Sequence, residues 1–404
     1  MSMKIKAGVL FASFTVLLFV VVGNYGGVHA ASNNDAYRQL QVYSEVLSRI
    51  RTEYVEEPNV PKVTDGGLHG LLESLDADSA YISPEAYKKF KEHKAEGKAT
   101  IGAVVSKRFG YAAVVSVIPG SPADHAGLSA GDVFESIDGI STRDLSVPEI
   151  RSMLTGATGS AVNAEVVRAR RAEPQKMSIQ RAMVSAPALE DKMLEDGVGY
   201  IRVGALAHGR AQEVAARIKA LEKTGAKRLV LDLRGCAEGD ESEGVAVANL
   251  FLNHGTIAYL QGQKYPKETY TADPIKSVTQ LPLAVLVNRG TSGAAELVAA
   301  SLMENARADV VGDKTFGEGS VQKTIDLPDG GVLILSVAKY YSPSGKTLQD
   351  TGVTPNVIVS DEEELAVVDE DESGVRPAET NEKPKATSDD QLKKALEVLK
   401  KRAS

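Results

Sequence analysis

The stretch from Leu281 to Gln322, LPLAVLVNRGTSGAAELVAASLMENARADVVGDKTFGEGSVQ, constrains the fold more than any other part of the chain. The short apolar run Leu283 to Val287 predicts a strand buried on both faces. Asn288, Arg289 and Gly290 turn the chain, and Thr291 or Ser292 is available to cap the next helix. Ala294 to Leu302 reads as that helix, of Ala, Leu and Glu, and the apolar pair Val310 and Val311 leads into the Gly-rich loop Phe316-Gly-Glu-Gly-Ser-Val-Gln322. A strand, a sharp turn and a helix are what present a nucleophile at the top of a sheet.

A chain of 404 residues can hold two or three domains, each with a sizeable core. Its formal charge of -8 and the lack of a basic stripe argue against nucleic acid as a partner. Cys236 is the only cysteine, which excludes an intramolecular disulfide and a thiolate zinc cluster. The six His residues show no His-x-x-x-His spacing, so neither a metal nor another cofactor is expected.

At the N-terminus, Lys4 and Lys6 precede an apolar run from Ala7 to Val22, and Val28-His29-Ala30 is a small-residue cleavage pattern. Residues 1–30 therefore read as a secretory signal, either cleaved or kept as an anchor through residues 7–22. The remainder is expected outside the cytoplasm, periplasmic or extracytoplasmic, with the lysines left inside.

Residues 31–95 read as helical: Tyr43, Val46, Leu47 and Ile50 form one stripe, and Leu68, Leu71, Leu72 and Leu75 a second. A helix pair that packs or dimerises accounts for them, with no chemistry. Residues 360–404 read as an acidic, Pro-bearing linker and a short amphipathic helix from Asp390 to Leu399.

Residues 96–172 have a different rhythm, with strands at Val114–Val117, Val133–Ile137 and Ala161–Arg168 and helices at Ala123–Gly127 and Val147–Leu154. Asp138-Gly139 is a hairpin signal. Gly120-Ser-Pro-Ala-x-x-Ala-Gly-Leu-x-x-Gly-Asp132, followed by Ile137-Asp-Gly139, resembles a PDZ domain. The resemblance implies a β-rich domain with two helices that binds an extended C-terminus by strand addition, its carboxylate gripped by backbone amides. The carboxylate loop falls at Thr100-Ile101-Gly102-Ala103. Gly102 would let the backbone approach the ligand, and Ile101 and Val104 would line the side-chain pocket.

From 173 to 359 the chain turns α/β. Gly199–Val203 and Arg228–Arg234 read as strands flanking a helix, Ala211 to Lys223, in a right-handed βαβ unit. Val245 to Leu252 reads as a helix, Lys264 to Leu281 as a polar loop over the cleft, and Asp329-Gly330 as a hairpin turn between Thr324–Leu327 and Val332–Val337.

Several phrases here resemble the carboxy-terminal processing (tail-specific) serine peptidases: Ala294-Ala295-Glu296, Thr315-Phe316-Gly317, Gly319-Ser320-Val321-Gln322, Leu231-Asp-Leu-Arg-Gly235, and Leu75-Asp-Ala-Asp-Ser-Ala-Tyr-Ile-Ser-Pro84. The resemblance runs from about residue 40 to 358. It implies an α/β multidomain fold: an N-terminal helical region, the PDZ domain, a ClpP/crotonase-like α/β core and a short C-terminal helix. In that family a Ser precedes the Ala-Ser/Ala-Glu triplet as nucleophile, a Lys in the Gly-rich loop is its base, and a Gln four residues later orients the Lys. Here the three positions are Gly293, Glu318 and Gln322, at the family's spacing. The oxyanion turn falls at Gly235, Cys236 and Gly239, with Cys236 in place of the family's Asn and Glu238 in place of one Gly. Glu238 and Asp240 would set carboxylates against a developing oxyanion.

The resemblance implies an exported homologue that binds polypeptide C-termini through its PDZ domain and does not cleave them, as adaptor or regulator of an active protease homologue. One alternative is a serine endopeptidase with a displaced pair, Ser292 and Lys314; another is an oligomeric envelope scaffold. Ser292 reads as an N-cap, Lys314 as a partner for Asp313 or Glu318, and Ser320 has no identifiable base.

Overall fold

The computed structural model describes residues 37–108, 110–168, 173–360 and 389–402, so the expected signal sequence and nearly all of the expected acidic linker lie outside the described residues. The chain divides into a unit ending at Gly67 and a second unit from Leu68 onward. The first holds helix α1 (37–53) and the start of α2 (Val60–Glu73). Tyr37, Leu40 and Val46 on α1 are exposed, while the Tyr43 hydroxyl lies against Gly67, where a Cβ would come within 2.6 Å of it.

In the second unit α2 finishes and gives way to β1 (Ala80–Ile82) and α3 (Pro84–Glu96). The expected all-helical region is thus interrupted. Ala80, Tyr81 and Ile82 are all buried and pair antiparallel with Val332–Ile334. Pro84 disfavours the α region at Ser83, which is extended at φ -64 and ψ 160 as the N-cap of α3, so no helix runs through this point.

The PDZ unit comprises β2 (Ala99–Thr100), β3 (Ala103–Arg108), β4 (Tyr111–Val117), α4 (Pro122–His125), β5 (Val133–Ile137), β6 (Ile140–Ser141), α5 (Val147–Met153), β7 (Thr155–Gly156), β8 (Ala161–Val167) and β9 (Gln175–Gln180). Its sheet runs β3-β4-β5-β8-β9, with β6 on β5 and a separate β2–β7 ladder. Asp138 and Gly139, both at positive φ, close the β5–β6 hairpin. Strand β9 lies past the expected boundary at residue 172. Its alternate residues Met177 and Ile179 pack on the same core as Phe134, Ile150 and Val162, so the domain ends near Gln180.

The core comprises β10 (Glu190–Leu194), β11 (Val198–Arg202), α6 (Arg210–Lys223), β12 (Arg228–Asp232), α7 (Glu241–Phe251), β13 (Thr256–Gln261), β14 (Glu268–Thr271), β15 (Leu283–Val287), α8 (Ala294–Glu304), β16 (Ala308–Gly312), β17 (Ser320–Asp326), β18 (Val332–Tyr341), β19 (Val357–Ile358) and α9 (Asp390–Arg402). One sheet runs β10-β11-β12-β15-β16-β19, parallel except for β10, and β15 is buried at every position. A second sheet runs β1-β18-β13-β14, with β17 also on β18. Strand β14 lies within the segment expected as a polar loop; it hairpins back onto β13. Residues of α6, α7 and α8 bury one face of the parallel sheet, and Ala395 and Leu399 of α9 bury the other against Tyr200, Val230, Ala284 and Leu286.

Candidate active site

One buried carboxylate joins the turn after β15 to the loop before β17. Glu296, in the first turn of α8, has no exposed surface. Its Oε2 accepts from the Gly293 amide at 3.0 Å and the Glu318 amide at 2.8 Å; its Oε1 accepts from the Gly317 amide at 2.8 Å and from the Thr315 hydroxyl. Burial pushes its pKa from 4.5 up to about 7, against the pull of those four donors. The folded state therefore holds a proton that the unfolded chain has released above about pH 4.5. The stability this group contributes is fully present below that pH and is lost as pH rises through about 7. Glu296→Gln should flatten the dependence of urea stability on pH across this window by up to about 3 kcal/mol. Wild type and variant with the same slope would show that the carboxylate stays ionised throughout.

Gly293 is the N-cap of α8, at φ 59 and ψ -122, a conformation that strains any residue with a Cβ. A Cβ there would meet no heavy atom within 4 Å, so the space beside the turn is open. Ser292, expected as the N-cap, does not cap. Its hydroxyl donates to Glu318 Oε2 at 3.0 Å, and its amide donates to the Cys236 carbonyl at 3.0 Å. The turn thus directs Ser292 toward the Gly-rich loop, although it is only 1% exposed.

The other oxygen of Glu318 pairs with Arg151 Nη2 of α5 at 3.1 Å, rather than with the exposed Lys314. Both oxygens of Glu318 are therefore engaged. Asp78 accepts from the Ser320 hydroxyl at 2.9 Å, and burial, followed by the charge of Glu318, raises its carboxyl above the usual range. Burial likewise raises Glu241, with Glu318 adding to it. Gln322 is exposed, and its Nε2 donates to Ser320 at 2.7 Å. Sequence reasoning assigned no chemistry to residues 75–84, yet Asp78 reaches this site through Ser320, with Asp76 close beside it. Asp76 also accepts from the Ser336 hydroxyl at 3.1 Å. The available signal was two Asp residues in a Ser-rich turn ahead of an apolar triplet.

At the turn expected to hold the oxyanion, the Gly235 amide donates to Asn288 Oδ1 at 3.0 Å, an oxygen it shares with the Gly290 amide. Cys236 is fully buried in the apolar core, and burial pushes its thiol up to about 12, so it stays a thiol. Gly239 is required by packing: a Cβ would fall 2.4 Å from the Leu206 carbonyl oxygen. Glu238 is exposed at the mouth of a cavity of about 280 Å³ between the core and the PDZ unit, lined also by Val104, Ser116, Pro119, Arg202 and Gly235.

Among the described residues, several contacts tie the PDZ unit to this region. Ser116 donates to the Gly235 carbonyl at 2.6 Å, the Arg108 guanidinium stacks 5.0 Å from the Phe316 ring centroid, and Arg151 pairs with Glu318. Within the PDZ unit β3 is an edge strand beside α5. Ile101, expected to line the ligand pocket, is fully buried in the domain core, and Val104 faces the cavity instead. Strand alternation puts Ala103 and Val105 on the core side and Val104 on the other. Gly102 has φ 80, and a Cβ there would lie 2.3 Å from that of Ser121, so the loop's own packing demands glycine. Among the described residues, no group of His, Cys, Asp and Glu could hold a metal, and no helix is long and apolar enough to cross a membrane.

Residues 197–359 match the model of peptidase family S41, and residues 114–168 match a PDZ domain. The carboxy-terminal processing protease CtpA of Bacillus subtilis is 31% identical over 347 residues, covering 85% of this chain and 74% of that protein. The chain belongs to peptidase family S41. A second relative, the carboxy-terminal-processing protease of Bartonella bacilliformis, is 31% identical over 335 residues, covering 81% of this S41 chain and 77% of its own. The solved photosystem II D1 C-terminal processing protease shares the fold of this S41 chain, with a TM-score of 0.65 at 24% identity over 79% of this chain and 92% of that one.

Proposed function

We propose that this family S41 chain is an exported binder of polypeptide C-termini that does not hydrolyse them, a pseudoprotease acting as adaptor or regulator. Gly293 carries this reading. The position to which the family resemblance assigns the nucleophile has no side chain, and no other group can attack from it. Two further features support it. Glu318 is an acceptor already held by Ser292 and Arg151, and the Gly235 amide is spent on Asn288. Export rests on Lys4, Lys6 and the apolar run after them; association with further copies or with an active protease homologue belongs to the same proposal.

The Ser292–Glu318 hydrogen bond favours a second reading, a displaced serine-carboxylate pair. Ser292 is 1% exposed, however, so a peptide carbonyl could reach it only if the turn opened.

Peptides with a free carboxylate and an apolar last residue should bind at micromolar strength, the range of strand addition, through the loop at Gly102 and the free edge of β3. Amidating the carboxylate should weaken binding by at least tenfold in fluorescence polarisation. Equal affinity for acid and amide would rule out use of the groove for C-termini.

A further inference from the structure

Arg151 stands where an added strand would pair. Its Nε and Nη2 both donate to the Val105 carbonyl at 3.2 Å, so this carbonyl points out of the sheet along the free edge of β3. On an antiparallel edge the outward-facing backbone groups recur at every second residue, here Ala103 and Val105. With the ligand's carboxylate at the loop of residues 100–103, its last residue lies opposite Ala103 and its third-from-last opposite Val105. Those two ligand side chains point to the same side, toward α5.

Val147 and Ile150 of α5 are buried, whereas the Arg151 side chain is 46% exposed. Charges facing its guanidinium include Glu318, at 3.1 Å, and Asp78, which lies close enough for the two charges to attract. We infer that Arg151 selects, among C-terminal peptides, those with Asp or Glu as the third residue from the end. This rests on the C-terminus-binding reading above. The ligand's backbone N–H displaces Arg151 from the Val105 carbonyl, and its carboxylate offers the guanidinium a planar two-oxygen partner in place of a single oxygen of Glu318. A Lys at that position would meet the guanidinium head-on. The apolar last residue supplies affinity and the acidic one supplies selectivity.

The test uses the full chain and three labelled peptides identical except for Glu, Gln or Lys third from a C-terminal Val, read by fluorescence polarisation at low and high salt. Affinity should fall in the order Glu, Gln, Lys, spanning about tenfold at low salt and less at high salt. Arg151→Gln should erase the order and Arg151→Glu should reverse it, with circular dichroism confirming that both variants fold. Three equal affinities in the wild type, or an order unchanged by Arg151→Gln, overturn the selectivity while leaving C-terminal binding in place. Failure of all three peptides to bind overturns the underlying reading as well.

Discussion

Unstructured polypeptides incubated with the purified protein remain uncut, and serine-directed acylating probes leave no label: this is the expected result, set by Gly293. Loss of a nucleophile alone typically lowers turnover by about a millionfold. Label on Ser292, lost in Ser292→Ala, would establish the displaced pair instead. Restoring the family's residues by Gly293→Ser with Glu318→Lys should give weak turnover at best. The new Ser finds open space but sits at φ 59 and ψ -122, at a cost of about 1–3 kcal/mol. The new Lys would lie beside Arg151, trading an ion pair for repulsion between like charges. The Gly235 amide is held by Asn288, and a missing oxyanion donor costs about a hundred- to a thousandfold. Adding Glu238→Gly should improve turnover by at least tenfold, by removing a carboxylate from the turn. Cys236→Asn should not help, because the Cys236 side chain is buried among apolar groups and an amide there would lose its hydrogen bonds. A double mutant with full activity would mean that this turn has no part in the chemistry.

The largest effect on stability should come from Asp232→Ala. Asp232 has no exposed surface and accepts from the Tyr200 hydroxyl at 2.7 Å, the Arg234 amide at 3.0 Å and the Arg234 guanidinium at 2.6 Å. The Arg234 Nη atoms also reach Asp389, at 2.9 and 2.8 Å, fastening the start of α9 to the end of β12. Removing one partner of a buried pair typically costs about 3–5 kcal/mol, because the remaining charge stays desolvated. Tyr200 loses its acceptor as well. Urea denaturation followed by far-ultraviolet circular dichroism should show a loss in that range, with Asp232→Asn intermediate because its amide oxygen still accepts. A loss below about 1 kcal/mol would mean that Asp389 alone satisfies Arg234.

Local sequence by itself determined most elements of this protein. The apolar run of β15, the helix of Ala, Leu and Glu after it, and the Asp138-Gly139 and Asp329-Gly330 turns each carry their own cause, in side-chain periodicity or in backbone freedom at a few residues. The positions proposed to correspond to the family's nucleophile and base were legible too, because Gly293 and Glu318 are flanked by residues that match the family's motifs. The tertiary structure decided what those positions touch. Arg151 and Glu318 are 167 residues apart, and Ser320 and Asp78 are 242 apart. Such pairs form only once the PDZ unit and β1 have docked on the core, and no local periodicity encodes docking. Short strands fared worst for a related reason. At three or four residues, β1 and β14 carry too little alternation to announce themselves, and only the neighbouring strands that satisfy their backbone groups make them strands. The direction of Ser292 and the burial of Ile101 were likewise settled by backbone conformation, at Gly293 and Gly102, where positive φ turns adjacent side chains to faces that a count along the sequence does not give.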